Sequence, residues 1–385
     1  MDHQLDRRGA IRLAISTAAL AAIGGSACTP APPVGSLELL GPDANGLMLP
    51  AGFRGRVLAR SGARVLGGHH WHRDPDGGAV FTRAGGGWTY VSNSENVLGG
   101  VGALDFAPDG TLTGARPLLV GRTSANCAGG ATPWGTWLTC EEHPLGRVWE
   151  VDPGTGSSRP LPRMGVFRHE AAAVDPVGRA VYLTEDEPDG RLYRYDPESW
   201  PELRTGRLRV AALSDDGVVS WLPVPNPTPT LMQRPTRLQV PASTPFDGGE
   251  GAVHRDGHVL FTTKGDGRIW DLDLRSERCT VLYDAATTPG ADLNGVDNIA
   301  TSGGGIYVAE DGGNMELVLV GPDGSTQPCL RVVGQDRSEI TGPAFDPSGT
   351  RLYFSSQRGA GGWGITYEVV GPFARFRRRA LAADG

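Results

Sequence analysis

Ala180-Val181-Tyr182-Leu183-Thr184-Glu185-Asp186-Glu187 is an apolar run that ends in acids, and Leu192-Tyr193-Arg194-Tyr195-Asp196 behind it is a second run that ends in an Asp turn. Two short aromatic and β-branched runs separated by turn residues read as neighbouring antiparallel strands. The first run recurs as Trp88-Thr89-Tyr90-Val91, Thr136-Trp137-Leu138-Thr139, His258-Val259-Leu260-Phe261, Gly305-Ile306-Tyr307-Val308 and Arg351-Leu352-Tyr353-Phe354. The second recurs as Arg147-Val148-Trp149-Glu150-Val151-Asp152 and Arg268-Ile269-Trp270-Asp271-Leu272-Asp273. In chain order the first runs start 48, 44, 78, 47 and 46 residues apart. A period of about 46 residues suits four short strands per unit, and the long interval holds one insertion. Six units predict an all-β, six-bladed β-propeller over residues 45–375, with a sandwich or a seven-bladed ring as the alternative. The insertion is placed at 199–245, where Pro223, Pro225, Pro227, Pro229, Pro235, Pro241 and Pro245 accumulate, and is read as a long loop over one face.

Composition agrees with this reading. With 57 Gly, 30 Pro and only 7% aromatic residues, the chain reads as all-β with tight turns, and 39% hydrophobic content argues against disorder. The net charge is -7; the first 27 residues carry three Arg and two Asp, so the remainder stands at -8. An acidic body disfavours nucleic-acid partners. Arg375 and Arg377 to Arg379 form a basic cluster, read within 376–385 as a solvated tail, with membrane-surface contact as the lesser reading.

Residues 1–27 have the layout of an export signal: Arg7-Arg8, an apolar stretch from Ala10 to Ile23, and small residues before Cys28. The paired Arg points to the twin-arginine machinery as partner, with ordinary secretion as the alternative. Cleavage after Ala27 would leave Cys28 first, where a lipid anchor can attach, ahead of a Pro-rich linker over 28–44. The expected location is the periplasm or cell surface, and the expected state is a monomer. Of the four remaining cysteines, Cys279 and Cys329 are read as a disulfide, because Cys127 sits in a ligand-like context.

In a propeller the start of each blade's first strand and the end of its second share one face. First-strand starts carry His69-His70, Cys127, Glu170, Glu250 and Asp297. Second-strand ends carry Glu95, Glu141-Glu142, Glu185 with Asp186 and Glu187, Lys264 with Asp266, Glu310-Asp311 and Gln357-Arg358. So many converging carboxylates call for cations. Each acid taken alone is a common turn residue, and Cys127 alone is a common disulfide or buried thiol; the repeated position is what points to a site. Oxygen ligands suit Ca2+, whereas a thiolate points to a transition metal beside it, iron or zinc. Such clusters clamp phosphoryl oxygens, so hydrolysis is the chemistry expected. Lys264 stands out as the one lysine in the chain and is read as a phosphate partner. Trp88, Trp134 and Trp137 are read as packing between blades, and His169 as a supporting residue rather than a ligand.

The run Asn126-Cys127-Ala128-Gly129-Gly130-Ala131-Thr132-Pro133-Trp134-Gly135-Thr136-Trp137-Leu138-Thr139-Cys140-Glu141-Glu142 resembles the PhoX family of alkaline phosphatases. Arg168-His169-Glu170, Gly248-Gly249-Glu250-Gly251, Gly295-Val296-Asp297-Asn298-Ile299, Glu310-Asp311-Gly312, Ser338-Glu339-Ile340-Thr341-Gly342-Pro343 and Ser355-Ser356-Gln357-Arg358-Gly359 extend the similarity. The resemblance, to a short branch of the family, implies an exported phosphomonoesterase with Fe3+ and Ca2+ at the propeller mouth. It implies Cys127, Glu142, Glu170 and Glu250 as iron ligands, and Asp297, Glu141, Glu310 and Asp311 as calcium or bridging positions. Glu95 stands at a peripheral calcium position. Lys264 and Arg358 are expected to neutralise charge on the phosphoryl group. The family's Arg-Pro-Glu reads Arg234-Pro235-Thr236 here, which leaves Arg234 or Arg237 as a further substrate contact. Two other readings stand beside this one. Asn294-Gly295-Val296-Asp297-Asn298 also resembles a motif of gluconolactonase-type propellers, which implies a calcium-dependent lactonase or phosphotriesterase. The other is a non-catalytic surface-binding propeller.

Overall fold

The protein is described by a computed structural model, which covers residues 37–359 and 361–382. The export signal read at 1–27 and the lipid site read at Cys28 lie outside the described residues.

Six antiparallel sheets make up the fold. The first strands of the blades, in chain order, are Pro75–Thr82, Asn126–Ala131, His169–Asp175, Gly249–Arg255, Val296–Ser302 and Ile340–Phe345. Each packs beside the next, and the sixth packs against the first, so they line a closed ring. The second strands are buried along their whole length, as in Trp88–Ser94 and Gly305–Glu310, because blades cover both of their faces. That is why they read as unbroken apolar runs rather than as alternating ones.

The hydrophobic core is divided into wedges between neighbouring blades. Val91, Val101 and Leu119 of blade 1 meet Trp137 and Val151 of blade 2, and Leu260 and Ile269 of blade 4 meet Val308 and Val318 of blade 5. Trp88 and Trp137 serve this packing, as the sequence reading has it. Trp88 donates to the Tyr353 hydroxyl of blade 6 at 2.9 Å, and Trp137 donates to Asn93 of blade 1 at 2.9 Å. Gly130 marks how close the first strands come: a β-carbon there would lie 1.6 Å from the Ala172 carbonyl oxygen of the next blade.

Both chain ends contribute to ring closure. Arg54–Arg60 pairs with Ile365–Val370 and supplies the outer strand of blade 6, while Leu47–Met48 adds an edge to blade 5.

Three expectations need correction. Residues 199–245 are not all loop, because Glu202–Leu213 and Val219–Pro223 extend blade 3. Leu203, Leu208 and Val210 are buried while Arg204 and Arg207 are exposed, so the segment has the alternation of a strand with one face in solvent, and only the part from Val224 onward is irregular. The basic segment is not a free tail either: Phe373–Ala380 is a helix whose Phe373 packs edge-on against Phe53 at 4.8 Å and Phe345 at 5.1 Å. Its arginines occupy the face left over. Finally, Cys279 and Cys329 are both free thiols, each buried in a different wedge, and so are Cys127 and Cys140.

Candidate metal centre

Every first strand carries the same irregularity near its start. Pairing runs from Pro75↔Ser94 to Gly78↔Ser92, from Asn126↔Glu141 to Gly129↔Thr139, and from His169↔Glu185 to Ala172↔Leu183. It continues from Gly249↔Thr263 to Ala252↔Phe261, Val296↔Glu310 to Ile299↔Val308, and Thr341↔Ser355 to Ala344↔Tyr353. In each case the first strand holds one more residue than its partner, which is a β-bulge, and bulges re-aim side chains. The residue just after the last paired position is Asp76, Cys127, Glu170, Glu250, Asp297 and, in blade 6, Gly342. The five that have side chains are all buried. Just beyond the matching position on the second strands stand Glu95, Glu142, Asp186, Lys264, Asp311 and Ser356. Two rings of positions therefore face one mouth, the first with five side chains and the glycine of blade 6, the second with six side chains.

Polar side chains of one blade hold the bulge of the next. Asn93 donates to the Cys127 carbonyl at 2.7 Å, Thr184 to the Glu250 carbonyl at 2.5 Å and Thr262 to the Asp297 carbonyl at 2.6 Å. Blade 6 contributes Thr341, which donates to the Pro75 carbonyl at 2.7 Å.

These tiers bring ligand atoms together in three linked sets: Asp76, Glu95 and Cys127; Cys127, Glu142 and Glu170; Glu170, Glu250 and Asp297. Within each set the atoms lie within 4.8 Å of one another. Cys127 and Glu170 each belong to two sets, so the three form one chain of donors. Three cations flank it. Arg168 meets Glu142 at 2.8 Å and Glu187 at 3.4 Å. Lys264 meets Glu250 at 2.7 Å and Asp311 at 3.3 Å. Arg358 meets Glu339 at 2.6 Å and also pairs with Glu95.

The donor set fits metal ions. Glu170 is buried, and its Oε1 has no hydrogen-bond partner among the described residues. Burial and the neighbouring acids push Asp76, Glu170, Glu250 and Glu339 well above the ordinary carboxylate range. Burial raises Glu142 to about 7 with help from Glu95 and Asp186, and raises Asp297 to about 6 against the pull of Lys264. The Cys127 thiol is raised for the same reasons, by burial first and then by Asp76 and Glu170. Such a group of side chains holds its charge only with cations among them.

A consequence can be measured on protein stripped with a chelator. Glu142 and Asp297 titrate higher in the folded chain than at their unfolded values near 4. The stripped fold therefore has its full share of this stability below those values and loses it as pH rises through the folded ones. Its melting temperature is expected to fall between about pH 4 and pH 7; a rise across that interval would refute the account.

The sequence-derived positions divide. Cys127, Glu142, Glu170, Glu250, Asp297 and Glu95 come together, with Lys264, Arg358 and Asp311 at their edge. Glu141 and Glu310 do not join them. Glu141 accepts from the backbone N–H groups of Ser124 at 3.0 Å and Arg147 at 3.1 Å, and Glu310 from those of Asn294 and Glu316, both at 2.9 Å. These two carboxylates brace loops. Arg234 is exposed on the insertion, and no described contact ties it to the acids, while Arg237 is held by Asp189 at 2.8 Å. His169 is buried neutral, because burial lowers its pKa to about 3, and it faces the Gly165 carbonyl at 3.1 Å. His69 and His70 lie before the first bulge rather than in it. Asp76 holds that place, and Glu339 and Arg168 are further members that the sequence reading did not assign. Pro75-Asp76-Gly77-Gly78 has the composition of a turn, which hides the ligand-type acid; its likeness in form to Val296-Asp297-Asn298 was the available signal.

Comparison with known proteins adds a second line of argument. The family described as Alkaline phosphatase PhoX matches at residues 118–146 and 143–257, a span that contains Cys127, Glu142, Glu170 and Glu250. The solved structure of Pseudomonas fluorescens PhoX in complex with vanadate, a transition state analogue, superposes with a TM-score of 0.71 at 17% identity, covering 85% of this chain and 96% of that one. A Bacteroides thetaiotaomicron protein of unknown function superposes with a TM-score of 0.52 at 10% identity, covering 82% and 76%. No curated protein sequence matches. The matched span carries the thiol and its acids, and the Pseudomonas fluorescens structure shares the fold, so over that span the chain is similar to the PhoX family of alkaline phosphatases.

Proposed function

We propose that this chain is an exported, metal-dependent phosphomonoesterase, and that Cys127, Glu142, Glu170 and Glu250 hold iron while the carboxylates Asp297, Asp76 and Glu95 hold calcium beside it. The observation that carries this reading is the linked chain of donors, in which one sulfur and six carboxylates from five blades meet at one mouth. Sulfur is a poor calcium ligand and a good transition-metal ligand, so a mixed set calls for two kinds of ion. When bound, such ions supply Lewis acidity toward phosphoryl oxygens.

The chain's own contribution is positional and electrostatic. Lys264 and Arg358 stand at opposite parts of the acid chain, already paired with its members, so their charge can turn toward a trianionic transition state without long movement. Arg168 takes the place that the sequence reading had given to Arg234, since it meets Glu142 directly. Gln357 donates to Glu95 at 2.9 Å and also to Asp76, which fixes the blade 1 pair. Burial of the first tier keeps bulk water from the donors.

The test is release of phosphate from a chromogenic phosphomonoester, with elemental analysis of the same sample. Iron together with calcium is expected, as is loss of turnover on chelation. Cys127→Ser is expected to lose iron and at least about a hundredfold in turnover, because even residues that merely support ligands cost 10–100-fold. Full turnover by Cys127→Ser, or by protein carrying calcium alone, would count against the reading. Lactone hydrolysis by calcium-loaded protein would favour the gluconolactonase-like alternative instead.

A further inference from the structure

Beside the donor chain, between blades 2 and 3 and the irregular part of the insertion, lies a small recess of about 80 Å³. Leu145, Phe167 and Leu231 supply its apolar lining, and Arg168, Glu185 and Arg237 its polar lining. The insertion is tied down over it: Thr236 donates to the Val166 carbonyl at 2.8 Å, and Arg237 is held by Asp189 at 2.8 Å. Phe167 forms a rigid floor, stacked on Tyr193 at 4.4 Å and on His169 at 3.6 Å.

Two observations make this more than a fold in the surface. Arg168 lines the recess and also meets Glu142, a member of the second donor set, at 2.8 Å, so one side chain separates the recess from the metal centre. Glu185 is fully buried, its Oε2 accepts from the Tyr193 hydroxyl at 2.7 Å, and its Oε1 lacks a hydrogen-bond partner among the described residues, with the Arg237 guanidinium beside it at 3.8 Å. A buried polar atom left without a partner is costly and rare, and a ligand group that satisfies it gains accordingly. Burial pushes this carboxyl up to about 8, against the pull of the Tyr193 hydroxyl and Arg237.

We infer that this recess receives the alcohol side of a phosphomonoester and selects an uncharged leaving group with an apolar body of aryl size over a small polyol. The inference rests on the phosphomonoesterase reading and adds the substrate class to it. Arg168 and Arg237 do not make the recess cationic, because Glu142, Glu187 and Asp189 already pair with them. What remains for discrimination is the apolar lining, with the unused hydrogen-bonding capacity of Glu185 Oε1 beside it.

The test uses the metal-loaded full chain and three probes: inorganic phosphate, methylphosphonate and phenylphosphonate, titrated by calorimetry. Wild-type protein is expected to bind phenylphosphonate about tenfold more tightly than methylphosphonate, the scale of discrimination that apolar contacts supply. Leu145→Asp with Leu231→Asp is expected to erase that preference. Leu145 and Leu231 are 37% and 71% exposed, so the pair should fold, which a melting curve verifies. Equal binding of the two phosphonates by wild-type protein, or a preference that survives both substitutions, would overturn the inference while phosphate binding keeps the parent reading standing. Failure of wild-type protein to bind phosphate at all would overturn both.

Discussion

Glu170→Gln is expected to abolish turnover of phosphomonoesters, by a factor of at least about a thousand, and to release metal from more than one position. Glu170 is shared by the second and third donor sets, whereas Glu142, Glu250 and Asp297 each belong to one. A residue that only orients a ligand costs 10–100-fold when removed, and a bridging ligand has to exceed that, so about a thousandfold is the floor. The amide keeps the shape of the carboxylate but not its charge. It also sits fully buried beside Glu250 and Cys127, so no water replaces the lost ligand cheaply. Because removing negative charge from an overcrowded acid cluster relieves repulsion, the metal-free variant is expected to melt no lower than metal-free wild type. Elemental analysis and paired melting curves check both halves. Retention of the full metal content with normal turnover would rule out the shared-ligand role.

The second large effect is expected at a residue that bears no functional group. Gly342 occupies the bulge position of blade 6, with φ of +58°, and a β-carbon there would lie 2.5 Å from the Asp76 carbonyl oxygen of blade 1. Its N–H also donates to Asn298 at 2.8 Å, which ties blade 6 to blade 5. Gly342→Ala therefore meets a left-handed backbone and a backbone clash together. Strain of about 1–2 kcal/mol for the conformation and about 1–3 kcal/mol for overpacking are expected to add, shifting the melting temperature by several degrees. Displacement of Asp76 should weaken the first donor set in particular, so calcium content should fall before iron content does. An unchanged melting temperature would show that blades 6 and 1 are less closely set than described.

Much of this was legible in the sequence because a propeller repeats itself. The interval between the runs that begin at Trp88 and Arg351 announced the blades, and antiparallel return placed Cys127, Glu142, Glu170, Glu250 and Asp297 at one end. What could not be read was register. Glu141 and Glu142 are adjacent, and adjacent residues at a strand end face different ways, so the sequence does not say which one braces a loop and which one faces the mouth. A bulge leaves no signature in a single blade, which is why the sequence does not single out Asp76. Arg168 and Glu339 precede their strands, and their roles depend on partners that only folding brings near, Glu142 of the neighbouring blade and Arg358 of the same blade. The disulfide expectation failed because counting cysteines says nothing about wedges: Cys279 packs between blades 3 and 4, and Cys329 between blades 5 and 6.

The strand Arg54–Arg60 has a bearing on when this protein can become active. Its partner, Ile365–Val370, lies far along the chain from it, so during synthesis the ring stays unlatched until that strand has emerged. Blade 6 carries Arg358, Gln357 and Gly342 to the mouth, and blade 1 carries Asp76 and Glu95 beside them. An ion that needs donors from both blades could be held only after these two strands have paired, and loss of either strand would leave a half-built mouth rather than a weakened one.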